Sequence, residues 1–244
     1  MKKALLFLLC AAFTVFFSGC FFVNLADHNA VAGKGDLESY TFKVGDYNRI
    51  RVDGFYNIRY YSSPSDTVKL EIQPNLLEYF KIEVKEGELV VSSTRNIRIG
   101  GKKTPVLTVS TPELKSLVVD GAGAFTAIDK IKTDSFTIKI DGAGQCEAEL
   151  DVKNILVDIS GAGELTLSGR ADTADINMSG AGELNAFSLQ AREAKINLSG
   201  TGEIEISCSE NLSVNASGLG SIEYRGSPVL DMNSEGLVSI KKVN

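Results

Sequence analysis

The sequence contains no tryptophan, one histidine, five prolines and four cysteines in 244 residues. Each scarcity excludes something. His28 stands alone, so the serines that recur along the chain have no imidazole base for a Ser-His-Asp arrangement. A metal centre built from His and Cys lacks its ligands. Four cysteines are too few for a disulfide scaffold, and a chain that is 43% hydrophobic can bury a core without one. No stretch shows an apolar stripe at helical spacing long enough for a crossover helix, which argues against an alternating α/β fold. Basic charge is short as well. Beyond the first 19 residues, which hold Lys2 and Lys3, 23 Lys and Arg face 31 Asp and Glu, a net of −8. Nucleic acid, whose binding rests on basic surface, is therefore not an expected partner.

What is present begins with an export signal. Lys2 and Lys3 precede an apolar run from Ala4 to Phe17, and the small residues Ser18 and Gly19 lead to Cys20, the layout of a signal peptide over 1–19. Phe17-Ser18-Gly19-Cys20 resembles a bacterial lipobox, with Phe17 in place of the usual Leu. That resemblance implies cleavage before Cys20, acylation of Cys20 and a membrane anchor, with the outer membrane as address and its periplasmic or outer face open. An ordinary cleaved signal or an uncleaved anchor helix are the alternatives, and the run is short for a spanning helix. Residues 20–38 grow polar without periodicity and read as a tether. The folded domain is then expected over 39–244.

Self-similarity dominates that domain. Gly121, Gly142, Gly161, Gly180, Gly200, Gly218 and Gly236 recur at a period near 19, and a second glycine follows two residues later at 123, 144, 163, 182, 202 and 220. Upstream of each glycine the chain alternates, as in Ile176-Asn177-Met178-Ser179, the period of a half-buried strand. The pairs Leu117/Val119, Ile138/Ile140, Val157/Ile159, Ile176/Met178, Ile196/Leu198 and Val214/Ala216 are expected to point inward. Each repeat reads as strand, tight corner, strand and return, with the glycines turning corners where a Cβ lacks room and φ is often positive. A unit this short cannot close a core alone, so stacking follows: an all-β, parallel β-solenoid. A nucleotide-binding reading of Gly-Ala-Gly fails because no helix N-terminus follows it.

The same alignment reaches back to "RIRVDGFYNIRY", where Ile50, Val52, Gly54 and Ile58 match Leu117, Val119, Gly121 and Phe125. Between this first coil and the next, residues 68–72 alternate as a strand, "FKIEVKEGELVVSS" reads as a hairpin around Glu86-Gly87, and "PVLTVSTPEL" supplies another strand. Residues 39–112 thus form a strand-rich cap plus the first coil, and 113–244 the stacked coils. Lys241 and Lys242 place charge on the last strand, a guard against edge pairing. The GFYNI segment, the Asn75-Leu76-Leu77 stretch, "VSTPELKSL" and the serial SGAG corners together resemble the auto-transporter adhesin head domain called the GIN domain, over about residues 40–242. The resemblance implies a right-handed β-helix in the cell envelope and brings no catalytic residues.

Candidate sites fall in columns. Asp53, Asp120 and Asp141 precede equivalent glycines, with Cβ atoms expected only ~5 Å apart. They form a plain polar corner, an oxygen-ligand cation site, or the acid pair of a polysaccharide-cleaving enzyme. No basic or aromatic residues gather around them in the sequence, and no metal or cofactor is assigned. Asn177, Asn197, Asn215 and Asn233 make an amide ladder if turned inward at a corner, or a glycan-binding stripe if outward. Glu164, Glu183 and Glu203 form a solvated acidic column, while Cys146 and Cys208 are small buried hydrophobes. The expectation is a lipid-anchored, non-catalytic binding or adhesive surface for a glycan or protein. A polysaccharide-active enzyme using Asp120 and Asp141, or a periplasmic scaffold, is the alternative; the oligomeric state is open.

Overall fold

The computed structural model describes residues 30–98 and 103–244; the signal segment and Cys20 lie outside them. Nineteen strands follow in order: β1 (Val31–Ala32), β2 (Glu38–Lys43), β3 (Arg49–Val52), β4 (Phe55–Tyr61), β5 (Thr67–Ile72), β6 (Phe80–Lys85), β7 (Glu88–Ser93), β8 (Ile97–Arg98), β9 (Val106–Ser110), β10 (Ser116–Val119), β11 (Ala122–Ala127), β12 (Ile131–Ile140), β13 (Ala143–Ile159), β14 (Ala162–Met178), β15 (Ala181–Leu198), β16 (Thr201–Ala216), β17 (Leu219–Arg225), β18 (Val229–Ser234) and β19 (Leu237–Lys242). They make a parallel β-solenoid of about seven turns with a repeat near 19 residues.

Equal letters become vertical neighbours. Gly144 pairs with Gly163, Gly163 with Gly182, Gly182 with Gly202 and Gly202 with Gly220. Val119, Ile140, Ile159, Met178, Leu198 and Ala216 stack in one interior file, each at most 5% exposed. A fully buried Leu or Ile contributes roughly 1.5–3 kcal/mol, and every rung adds several. The interior is thus shared between coils, as the repeat demands.

Two expectations are corrected in detail. The return is not a separate loop. From β13 to β16 the strand continues almost from one glycine corner to the next, and a second corner is made where two consecutive exposed residues, Lys153-Asn154 in β13, shift the inside-outside phase by one. The glycines, moreover, serve mainly close approach. In the opening column only Gly54 has positive φ. At Gly142 an added Cβ would fall on the carbonyl oxygen of Gly121, the acceptor for the Ala143 amide at 2.8 Å, and the same collision recurs coil after coil up to Gly236. Backbone stacking, more than dihedral freedom, excludes a side chain there.

The cap continues the stack downward. β3 lies between β10 and β7, with Ile50 and Val52 level with Leu117 and Val119 on one side and with Leu89 and Val91 on the other. β4 lies likewise between β11 and β9. Segments outside the repeat therefore build one further layer, closed by the antiparallel hairpin β6–β7 and by β5 and β2. The hairpin turns at Glu86 (φ 50°) and Gly87 (φ 75°), left-handed geometry suited to a two-residue turn. Residues 30–38, expected to belong to the tether, contact this cap: β1 pairs with β8, and the Lys34 amide donates to Asn75 at 2.8 Å.

Candidate functional site

The acidic column forms as expected. The amides of Asp53, Asp120 and Asp141 bond to the carbonyls of Val91, Val52 and Val119, which sets the three residues on successive levels. The sequence reading missed a cation beside them. Arg51, pointing outward from β3, places Nη1 2.9 Å from Asp120 Oδ2 and Nε 3.4 Å from Glu88 Oε2. Asp141 accepts a hydrogen bond from Ser160. Two of the three acids, Asp120 and Asp141, are thus engaged by neighbours on other levels. Among the described residues no group of three or more His, Cys, Asp or Glu side chains is placed to hold a metal ion.

The asparagine column combines an amide ladder with an outward-facing position, which had been posed apart. Asn177, Asn197, Asn215 and Asn233 face outward in register. Even so, Asn197 Nδ2 donates to Asn177 Oδ1 at 2.7 Å and Asn215 Nδ2 to Asn197 Oδ1 at 3.3 Å. Stacking at strand spacing suffices for an amide ladder without burial. Beside it, Asn197, Asn215 and Asn233 with Ser199, Ser217 and Glu235 line a shallow depression of about 230 Å³. Glu164, Glu183 and Glu203 stand in register on the opposite side of the glycine corner. On the neighbouring column, burial and then the charges of Glu223 and Glu183 push the Glu205 carboxyl up.

A further concavity was not anticipated. A groove of about 1050 Å³ runs along the return limbs of successive coils. One register column through it reads Lys132, Asp151, Arg170, Gln190, Ser207, Arg225. At the adjoining corner Lys153 pairs with Asp134 at 2.9 Å, and Arg192 pairs with Glu210 through two bonds of 2.9 and 3.0 Å. Arg170 Nε holds Asp151 at 2.6 Å. Lys132 and Arg225 have no carboxylate within ion-pair distance among the described residues. An extra residue in β15 relative to β14 produces a bulge at Phe187, and the Arg225 guanidinium lies 4.0 Å over that ring. Cys208 lines the groove floor with its thiol turned to the carbonyls of Arg192 and Asn211. The groove carries polar and charged rows beside small apolar residues such as Val152, Ala171 and Ala191, with one aromatic-guanidinium platform.

Known structures share this architecture. A "putative adhesin" from Bacteroides fragilis NCTC 9343 superposes with a TM-score of 0.80 at 23% identity, covering 88% of this chain and all of its own. A "putative lipid binding protein" from Parabacteroides distasonis ATCC 8503 gives 0.69 at 27% identity over the same shares. A "putative adhesin" from Parabacteroides merdae ATCC 43184 gives 0.66 at 23%, again over those shares. Among curated proteins none matches. The repeat, the cap and these likenesses agree with the sequence family described as "Putative auto-transporter adhesin, head GIN domain", which matches residues 46–228, and the chain belongs to it.

Proposed function

We propose that this protein is a cell-envelope lipoprotein, held in the outer membrane by acyl chains on Cys20, whose solenoid is a non-catalytic adhesive surface for a glycan or protein. The observation that carries the reading is the groove on the return limbs. Its rows repeat at the coil spacing of ~4.8 Å, it extends over several coils, and it includes the Phe187-Arg225 platform. A periodic row of hydrogen-bonding and charged groups suits an extended, repeating ligand better than a compact small molecule. The engagement of Asp120 by Arg51, and a lone histidine outside the described residues, speak against acid-base chemistry at the corner.

The test uses the mature chain on a glycan array and on immobilised envelope proteins, beside Phe187→Ala and Arg225→Ala. Binding by wild type that falls about tenfold or more in either variant is the expected result. Reducing-sugar release by wild type that disappears in Asp141→Asn would instead establish the enzyme. Incorporation of radioactive fatty acid in wild type, absent in Cys20→Ala, tests the anchor.

A further inference from the structure

The two ends of the solenoid are finished differently. At the N-terminal end the cap covers the core, and Ile50, Leu70, Leu89 and Leu107 are fully buried. At the C-terminal end no described residue covers it. Among the described residues β18 pairs only with β16 and β19 only with β17, which leaves one edge of each without a strand. Leu230 and Met232 occupy the inward columns of Leu212 and Val214, yet are 38% and 47% exposed. Val229, Leu219 and Leu237 add apolar surface beside them. Among the described residues, five of the seven exposed large hydrophobics thus gather on the last two rungs. This rung lies beyond the residues matched by the family.

An occupant must supply two strand edges and an apolar underside, and the terminal rung itself has both. Its chemistry is self-complementary about the corner at Gly236. Counting outward along β18 and β19, the fourth residue is apolar and inward on each side, Met232 and Ile240. The third is polar and outward, Asn233 and Ser239. The fifth is charged and outward, with opposite signs: Asp231 and Lys241. All charge from Val229 to Glu235 is acidic, and all charge on β19 is basic. Lys241 reaches back to Glu223 only at 4.0 Å and is two-thirds exposed, so its ammonium keeps donors to spare.

We infer that the C-terminal rung is a docking surface for a second copy of this chain. A two-fold axis through the Gly236 corner lays β18 antiparallel on β19 of the partner and closes the pair. Met232 then meets Ile240, Asp231 meets Lys241, and the ladder runs through the interface without an open edge. The lysines, expected to repel neighbouring strands, instead select the register in which they face Asp231.

The arrangement also sets polarity. β1, where the described chain begins, lies on the cap, so the dimer holds its two N-terminal ends at opposite extremities. Resting on the lipid-anchor reading above, this contact would join proteins on facing membranes.

Sedimentation equilibrium of the mature chain in non-ionic detergent, over about 1–100 µM, reads the association directly. A monomer–dimer equilibrium is expected. Lys241→Glu and Asp231→Lys should each weaken it about tenfold, since each exchanges two attractive cross-strand pairs for two repulsive ones, and the double variant should return close to wild type. Met232→Lys should leave only monomer, with far-UV circular dichroism unchanged. A monomer at every concentration, an open-ended series of larger species, or a double variant no better than the singles overturns the proposal. Vesicles carrying the acylated protein should aggregate. A dimer in solution without vesicle aggregation overturns the facing-membrane geometry alone, and failure of Cys20→Ala to release vesicle-bound protein overturns the anchor, leaving the dimer result standing.

Discussion

Arg51 on the first coil and Asp120 on the next are joined at 2.9 Å across the ladder, and the same guanidinium reaches Glu88 on the layer below. One cation thereby ties the cap, the first coil and the second coil together on the outer surface. Its side chain is 41% exposed, so the pair is screened by solvent and its net worth is at most about 1 kcal/mol. Asp120→Asn and Arg51→Met are each expected to lower the thermal midpoint by no more than about 3 °C, read by differential scanning calorimetry. A loss several times larger would mean that this link governs cap docking.

Gly142→Ala should do far more harm than its size suggests. The new methyl would meet the carbonyl of Gly121, a backbone atom that cannot move without breaking the Ala143 hydrogen bond. A loss above about 3 kcal/mol in urea titration, or failure to fold, is expected. Gly45→Ala is the control. Nothing lies within 4 Å of a Cβ there and φ is not in the left-handed region, so its effect should stay within about 0.5 kcal/mol.

The cysteines of the folded domain should be silent. Burial pushes the Cys146 thiol up to about 12 and shifts Cys208 upward as well, and both residues are at most 3% exposed. At about pH 8 the native chain should leave both unreacted with a chromogenic disulfide, and denaturant should release both. Rapid native labelling of Cys146 would show that the middle coils open far more readily than a shared core allows.

The coils were legible because every level repeats one constraint: apolar at two alternating positions, then a residue with no Cβ. The cap layer was less so, since β7 and β9 join the stack from segments that share no letters with the repeat. The groove was hidden for the same reason. Its column runs Lys132, Asp151, Arg170, Gln190, Ser207, Arg225, a position where the coil geometry tolerates any outward side chain, so no pattern marked it. Phe187 could have been suspected from the spacing of 20 between Gly180 and Gly200, longer than the 19 before it and the 18 after it. Arg51 could have been read as well, since aligning Ile50 and Val52 with Leu117 and Val119 already sets it one level from Asp120, although 69 residues separate the two in the chain.

Alkali should attack the cap before the coils. Burial pushes the Tyr47 hydroxyl up to about 12, against an ordinary value of 10, and raises Tyr56 and Tyr60 in the same region. The folded state therefore holds the Tyr47 proton more tightly than the unfolded state does. That contribution is complete below pH 10 and is lost as pH rises from about 10 to about 12. For Tyr47 alone the two-unit difference is of order 3 kcal/mol. Hydrogen exchange during an alkaline titration should show protection lost first in β3–β9, while β13–β16 remain protected. Simultaneous loss in both would mean that cap and coils unfold as one unit.

Tyr56 and Tyr47 should respond in opposite directions to loss of their hydroxyls. Tyr56 is 2% exposed, packs edge-to-face against Phe80 at 5.5 Å, and its hydroxyl has no hydrogen-bond partner among the described residues. A buried, unpartnered hydroxyl costs desolvation and returns nothing, so Tyr56→Phe keeps the ring contact and removes the penalty, raising stability by about 1 kcal/mol. The Tyr47 hydroxyl, by contrast, donates to the Ser110 carbonyl and accepts from the Ser110 amide, both at 3.0 Å. Tyr47→Phe leaves both backbone groups without that partner under the cap, and a loss of about 1–3 kcal/mol follows. Urea titrations of the two variants beside wild type measure the contrast. A destabilised Tyr56→Phe would reveal a partner for its hydroxyl, an ordered water being the simplest, and would move the expected gain to zero or below.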